Sequence, residues 1–540
     1  MNNLKFKIWR HLTTTQRGIT LSPANLEGQK SSTTCDLREC RPEIICKNCI
    51  NDMCAIRPNI QQPCVVIIGA GIAGLSAAHR LIQCGISNFR ILEATDRPGG
   101  RIKTCWMADS IIEMGPQWIS GASIANNVFT LAAQEGLLKP PLRRVVEDQG
   151  MYFTSDGRAI DIRLAQKAKL SFDALEAKAA NLLFSEEPLP KKSMFQYFDD
   201  LIKKELLKFP ETERYDAARL FYGFENSLKT KIGEDLTEVS STAFGSLHEL
   251  PGGDVVIPLG MGGLLAPLIR DLPNCALIYC KPVHSIRWGT AGPGNPRAVV
   301  RCCDGDDFPA DYVIVTVPLG VLKKLSSTLF CPALPASKTI AIEKLGFGYV
   351  NKIFMEHKNP FWTGKTGGYR LAWSPQELRE EDIWVHGVTS FERVPGSHKV
   401  IVATVSGRQA KMMENKSNAE VVKDLTNVLR QFVADSSIPQ AASIMRSDWA
   451  TNPNFYGSFT YISKDSSVGH IHDLKEPLPG NCNDIPPIIL FAGEHTSPKY
   501  FATMHGARQS GIREADRIIA LTRKLNGPPN KGPVCVPCGP

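Results

Sequence analysis

The sequence predicts an α/β fold, α+β overall, with a Rossmann-like dinucleotide-binding domain and at least one further domain. Three observations carry this. An apolar strand runs straight into a GxGxxG turn and a helix in "VVIIGAGIAGL". A second strand, "FRILEATDR", carries Glu93, 19 residues after Gly74. And 540 residues are too many for one ordinary core.

Taken in order, residues 1–62 are polar, broken by prolines and without periodicity, so they read as a poorly ordered segment. Their basic residues, Lys5, Lys7, Arg10 and Arg17, fit such a tail first and a mitochondrial presequence second. Of 16 cysteines, Cys35, Cys40, Cys46, Cys49, Cys54 and Cys64 fall early, and only Cys46 and Cys49 form a CxxC. A zinc site normally shows two such pairs, so no metal is expected. The scattered remainder fits reduced thiols in a cytoplasmic protein.

The folded part begins at Pro63, with the strand, turn and helix of "CVVIIGAGIAGLSAAHRLIQCG". Gly69 allows the tight turn, Gly71 lets backbone approach a pyrophosphate, and Gly74 lets helix and strand pack closely. Ile72 and Ala73 open the helix, whose N-terminal N–H groups favour phosphate. Glu93 is placed to accept hydrogen bonds from a ribose. Residues 123–247 read mainly as helices, and β-like pieces follow in "ALIYCKPVHSIRWG", "RAVVRCCDGDDF" and "DYVIVTVPLGVL". A helix is read at "NAEVVKDLTNVLRQFVA", a last strand–helix unit from "IILFAGEHT" onward, and a Gly/Pro-rich tail from about residue 526.

"GYVNKIFMEHKNPFW" raises a question of its own. Read as a strand, Val350, Lys352 and Phe354 share one face and Asn351, Ile353 and Met355 the other. Both faces are apolar, so the strand should be buried and Lys352 with it, although lysine is rarely buried unless paired. Nothing points to nucleic acid: the net charge of +8 is spread over the chain, without basic runs interleaved with aromatics. No run of 18 apolar residues predicts a membrane helix.

"EATDRPGGRIKT" decides between dinucleotides, because it is similar to the second fingerprint of a flavoprotein family in which the arginine, here Arg101, meets the FAD phosphates. With "MGPQWISG", "KPVHSIRW", "NKIFMEHKNPFW", "YGSFTYI" and "FAGEHTSPKYFATMHGARQSGIREADR", the chain resembles the flavin-containing amine oxidases, in the polyamine oxidase branch, over residues 63–523.

The resemblance implies an FAD-binding domain of residues 63–122, 252–330 and 480–525, into which a substrate domain of 123–251 and 331–479 is inserted. It implies non-covalent FAD, since "YGSFTYI" lacks the cysteine that bonds flavin in the monoamine oxidase branch. Val283 matches a position whose backbone meets adenine, and Gly115, Pro116, Gln117 and Trp118 match the stretch passing the flavin ring. Gly493 and Glu494 are expected to end a strand and start a helix at a second phosphate and ribityl contact. Thr503 matches a position lining flavin and substrate. Lys352 falls on the position whose ammonium faces the reactive flavin nitrogen through a water, the catalytic role.

Phe459, Tyr461, Tyr500 and Phe501 are candidate walls of an aromatic substrate pocket. Glu225 aligns with a glutamate used for distal amine nitrogens. Ser120 departs from the branch, which carries a histidine there, and a serine cannot titrate near neutral pH. The implied reaction is oxidation of a secondary amine of spermine, spermidine or their N1-acetyl forms. A hydride passes to flavin, the imine is hydrolysed, and oxygen reoxidises the flavin to give hydrogen peroxide. The expected partners are therefore a polyamine and oxygen, with no nucleic acid or membrane, in a monomer or weak homodimer. The rival readings are an L-amino-acid oxidase, a methyl-lysine demethylase, and a flavin-binding scaffold without activity.

Overall fold

The strand Val65–Ile68 is buried at every residue, as a run apolar on both faces requires. It lies in the middle of a five-stranded parallel sheet in the order Ile489–Phe491, Tyr312–Val315, Val65–Ile68, Phe89–Leu92, Leu277–Ile278. The computed structural model describes residues 62–139, 141–142, 150–184, 193–289, 296–362, 368–380, 382–480 and 486–526. Residues 1–61, with the first five of the early cysteines and the basic stretch, lie outside the described residues, as does the tail beyond 526.

The helix after the glycine turn, Ile72–Gln83, packs along the long C-terminal helix Met504–Asn526. Their backbones nearly touch: a Cβ at Gly511 would lie 2.0 Å from the carbonyl oxygen of Ala73. The two ends of the described chain thus close on one core.

A six-stranded sheet forms the second layer, ordered Ser443–Arg446, Val350–Glu356, Val400–Ser406, Val388–Arg393, Gly368–Ala372, Met151–Thr154. The lysine-bearing strand Val350–Glu356 is paired on both sides. Its two faces enter different cores. Ile353 and Met355 pack with Val421, Leu425 and Phe432 of the helix Asn418–Val433. Phe354, on the same face as Lys352, packs with Met107, Ile112, Met114 and Trp449. Three helices, Ile162–Ala180, Met194–Leu206 and Arg214–Ile232, surround Phe172, Phe198 and Phe221.

Two features differ from the sequence expectation. Met151–Thr154, in the stretch read as helical, is a strand, because it pairs with Gly368–Ala372, more than two hundred residues away. Glu494 does not open the C-terminal helix. It begins a single 3₁₀ turn, Glu494–Thr496, and the helix starts only at Met504. Ser497 is extended, as a residue before proline must be, and this breaks the helical path.

Helices outside the expected nucleotide-binding segments also pack on the five-stranded sheet. Val128, Leu131 and Ala132 pack on the nucleotide-binding sheet, as do Ala341, Ile342, Ile471 and Leu474 on its other face. Apolar contact rather than sequence proximity draws these helices there. Among the described residues no helix is long and apolar enough to cross a membrane, and no group of His, Cys, Asp and Glu could hold a metal.

Candidate active site

The glycine turn divides its labour among three residues. Gly69 has φ +103° and faces Thr316, whose Oγ1 would be 2.7 Å from an added Cβ. A Cβ at Gly74 would lie 2.1 Å from the carbonyl oxygen of Gly69. A Cβ at Gly71 would meet nothing within 4 Å. Gly71 is the N-cap of the helix opened by the buried Ile72 and Ala73, and no side chain caps that helix. Open space in front of unclaimed helix N–H groups is what a pyrophosphate needs, so the residues present fit a dinucleotide.

Gly71→Val tests this cradle. The β-branched side chain projects into that open space, so the variant is expected to fold with an unchanged far-ultraviolet dichroism spectrum and to purify without flavin absorbance.

Around the turn, Glu93 is buried and its carboxylate accepts from Ala70 N at 2.7 Å and from Thr95 N at 2.9 Å. Its carbonyl accepts from Lys281 N, which draws the strand Val283–Trp288 and its first residue Val283 to the same edge. Arg97, which sequence reasoning passed over, staples the Pro-Gly-Gly-Arg turn by donating to the carbonyls of Pro98, Gly100 and Ile102.

Arg101 donates from Nη1 to the carbonyl of Ser458 at 2.7 Å and to Glu494 Oε1 at 3.0 Å. The buried Glu494 carboxylate also accepts from Thr460 Oγ1 at 3.1 Å, Thr460 N at 3.3 Å and Ala502 N at 2.7 Å. Burial alone would raise its pKa, but Arg101 and these donors outweigh burial and hold it below 4.5. Gly493, at φ +129°, donates its N–H to Ser510 Oγ of the C-terminal helix. Thr503 Oγ1 accepts from Gly506 N at 3.0 Å and donates to the carbonyl of Tyr500, a local cap on that helix.

Lys352 retains some exposed surface, yet its ammonium is turned inward. Nζ donates to the carbonyl of Glu113 at 3.1 Å, the carbonyl of Gly115 at 2.8 Å and Gln117 Oε1 at 3.2 Å. The chain itself therefore supplies acceptors for all three ammonium protons, where the sequence reading had relied on water and flavin. Burial pushes the Lys352 pKa down from 10.5, and Glu113 and Glu392 act against it. The main chain of Lys352 is pinned as well: its N–H donates to Ser447 Oγ, which donates to the buried Asn351. Trp449 Nε1 donates to the carbonyl of Met114, joining the same two segments.

Gly115, Pro116 and Gln117 are half-buried beside this ammonium, and Trp118 is exposed. Ser120 is exposed, pairs with Asp254 in a two-stranded ladder, and accepts at its carbonyl from Asn126 Nδ2. Phe459 is half-buried and pairs with Gly348. Its ring would be 3.1 Å from a Cβ at Gly233, the C-cap of the helix Arg214–Ile232. Tyr461 lies flat over Gly346 and belongs to the helical core, and Phe501 is enclosed in the core of the nucleotide sheet. Tyr500 is half-buried, with its ring 5.0 Å from that of His505.

Glu225 stands on the same helix as the Gly233 cap, roughly 12 Å up its axis at 1.5 Å per residue. It is 3% exposed, its Oε1 has no hydrogen-bond partner, and burial pushes its pKa up to about 8.

Glu113, like Arg97, is a residue that sequence reasoning missed. It ends the apolar strand Ser110–Glu113, as Glu93 follows its own, and that shared pattern was the available signal.

Known proteins resemble this chain over most of its length. The family model for flavin containing amine oxidoreductase matches residues 72–519. Peroxisomal N(1)-acetyl-spermine/spermidine oxidase of Homo sapiens is 36% identical over 492 residues, covering 85% of this chain and 95% of that protein. Its namesake in Bos taurus is 34% identical over 490 residues, with the same coverage of 85% and 95%. A solved structure of putrescine oxidase bound to putrescine superposes with a TM-score of 0.63 at 21% identity, over 85% of this chain and 99% of that one. At that identity the likeness is one of fold.

Proposed function

The chain belongs to the flavin-containing amine oxidoreductases, and on that premise we propose that it oxidises polyamines, spermine, spermidine or their N1-acetyl forms, at a secondary amine. FAD, held by the Gly71 and Arg101 cradle, would supply the hydride acceptor and the means of reducing oxygen to hydrogen peroxide. The observation that carries the reading is the inward-facing ammonium of Lys352, held against the 113–117 segment beside the cradle of Gly71 and Arg101.

In this reading Gly71, Arg101, Glu93 and Val283 hold the cofactor, with Gly493 and Glu494 at its second contact. Gly115 to Trp118 position Lys352, and Lys352 is the catalytic residue, supporting either flavin reoxidation or imine hydrolysis. The half-buried Phe459 lowers the polarity of the amine site, which favours the neutral amine that must react. Glu225, about 12 Å from the Phe459 end of its helix, takes a distal nitrogen of the polyamine. Ser120 and Asp254 stand at the exposed rim. We place the protein in the cytoplasm, as a monomer or weak homodimer.

A peroxide-coupled assay over spermine, spermidine, their N1-acetyl forms, monoamines and L-amino acids tests the proposal. Peroxide with polyamines is expected, and none with any amine despite bound FAD would refute it. Acid precipitation should leave the flavin in the supernatant, since the cofactor is non-covalent.

Glu225→Gln separates the roles of its carboxyl. A buried acid whose pKa is raised to about 8 weakens the fold as pH rises between its unfolded value and 8. The amide is therefore expected to raise Tm at pH 8 and leave it unchanged near pH 4. It should also increase KM for spermine by about tenfold, the scale of one charge-assisted hydrogen bond.

A further inference from the structure

We infer that Ser447 is a positioning residue for the amine oxidation, acting through Lys352: its hydroxyl takes the lysine's main-chain N–H where the neighbouring strand leaves the sheet, and so fixes the lysine against the segment that holds its ammonium. The inference rests on the reading of Lys352 as the catalytic residue.

The strand Ser443–Arg446 pairs antiparallel with Val350–Glu356, with Arg446 opposite Ile353. One step further the same register sets Ser447 opposite Lys352. In a regular ladder such a pair exchanges two main-chain hydrogen bonds. Here Ser447 N donates to the carbonyl of Lys352 at 3.0 Å, which is the first of the two. The second is replaced: Lys352 N donates to Ser447 Oγ at 2.9 Å rather than to a carbonyl. A side chain therefore closes the ladder beside the lysine. Ser447 is 3% exposed, so water does not readily take its place.

The serine hydroxyl has one proton, and it goes to Asn351 Oδ1 at 2.9 Å. Asn351 is fully buried and its amide is engaged at both ends. Oδ1 also accepts from Trp449 N at 3.3 Å, and Nδ2 donates to Glu414 Oε1 at 2.5 Å. Trp449, two residues after Ser447, reaches the carbonyl of Met114 through Nε1 at 3.2 Å. The carbonyls on either side, those of Glu113 and Gly115, take the ammonium of Lys352. The contacts form a ring that leaves the lysine at its main chain and returns to it at its ammonium. Ser447 touches the lysine in this ring without being one of the ammonium's acceptors, so it can be changed with those acceptors left in place.

The test uses FAD-loaded enzyme, with the two half-reactions followed separately and flavin content measured alongside. Ser447→Ala removes the hydroxyl alone. It is expected to slow the half-reaction that Lys352→Met slows by about tenfold, the scale of one buried hydrogen bond, and to leave the other at its wild-type rate. Ser447→Cys keeps a weak donor and acceptor in nearly the same shape and should lose less. In a Lys352→Met background neither change should slow that step further. Wild-type rates in Ser447→Ala, equal slowing of both half-reactions, a cysteine as slow as the alanine, or further slowing in the Lys352→Met background would overturn the inference. Should Ser447→Ala fail to retain flavin, the cysteine carries the test, and wild-type rates there overturn it too. If Lys352→Met leaves both half-reactions at wild-type rates, the reading of Lys352 fails, an outcome distinct from failure of Ser447 alone.

Discussion

Lys352→Met is expected to bind FAD as tightly as the wild type and to slow one half-reaction by roughly 10²-fold, the lower end of what a positioned acid–base group contributes. Methionine matches the length and apolar stem of lysine, so the strand Val350–Glu356 keeps its pairing on both sides. What disappears is the ammonium and its bonds to Glu113, Gly115 and Gln117. Those carbonyls lose a donor but gain no clash. Anaerobic reduction by spermine and reoxidation by oxygen, followed separately in stopped flow, tell which step suffers. Unchanged traces in both would rule Lys352 out.

Arg101→Ala carries the second large effect, on stability and cofactor together. Removing one partner of a buried ion pair leaves the other charge uncompensated, at a cost of about 3–5 kcal/mol. Here the survivor is Glu494, with a side chain 5% exposed, while Arg101 is 22% exposed. The pH dependence has a definite sign. In the wild type the Glu494 carboxyl is held below 4.5, so its contribution is present above that value and is lost as pH falls through the folded value. Without Arg101 only Thr460, Ala502 and His495 oppose burial, and the carboxyl pKa rises. The gap in Tm between variant and wild type should therefore be widest at pH 7 and narrow below pH 4.5. A gap independent of pH would show that the ion pair is not what Arg101 contributes. Flavin should be lost as well, because the same side chain bonds the carbonyl of Ser458 beside Phe459.

Local chemistry made much of this legible in advance. The GxGxxG turn is readable because its three requirements, a positive φ, an open approach and a close packing contact, fall on three glycines within six residues. The buried character of the lysine-bearing strand is readable because apolar residues stand on both of its faces, Val350 and Phe354 on one and Ile353 and Met355 on the other. Met151–Thr154 was not readable, since four residues say little and its partner Gly368–Ala372 is distant in sequence. For Tyr461 and Phe501 the sequence does not place the rings, since an aromatic in a strand or loop looks alike whether it faces a pocket or a core; in the structure both side chains contribute to hydrophobic clusters.

By itself, then, the sequence determined the nucleotide cradle, the acidic ends of its strands and the presence of one lysine where lysine is unwelcome, because each depends on neighbours within a few residues. Only the tertiary structure decided what that lysine meets. The ammonium of residue 352 is satisfied by residues 113, 115 and 117, and the carboxylate of residue 494 by an arginine at 101. Such pairings join segments hundreds of residues apart. They exist because two cores bury their strands and leave each polar side chain one direction in which its hydrogen bonds can be made.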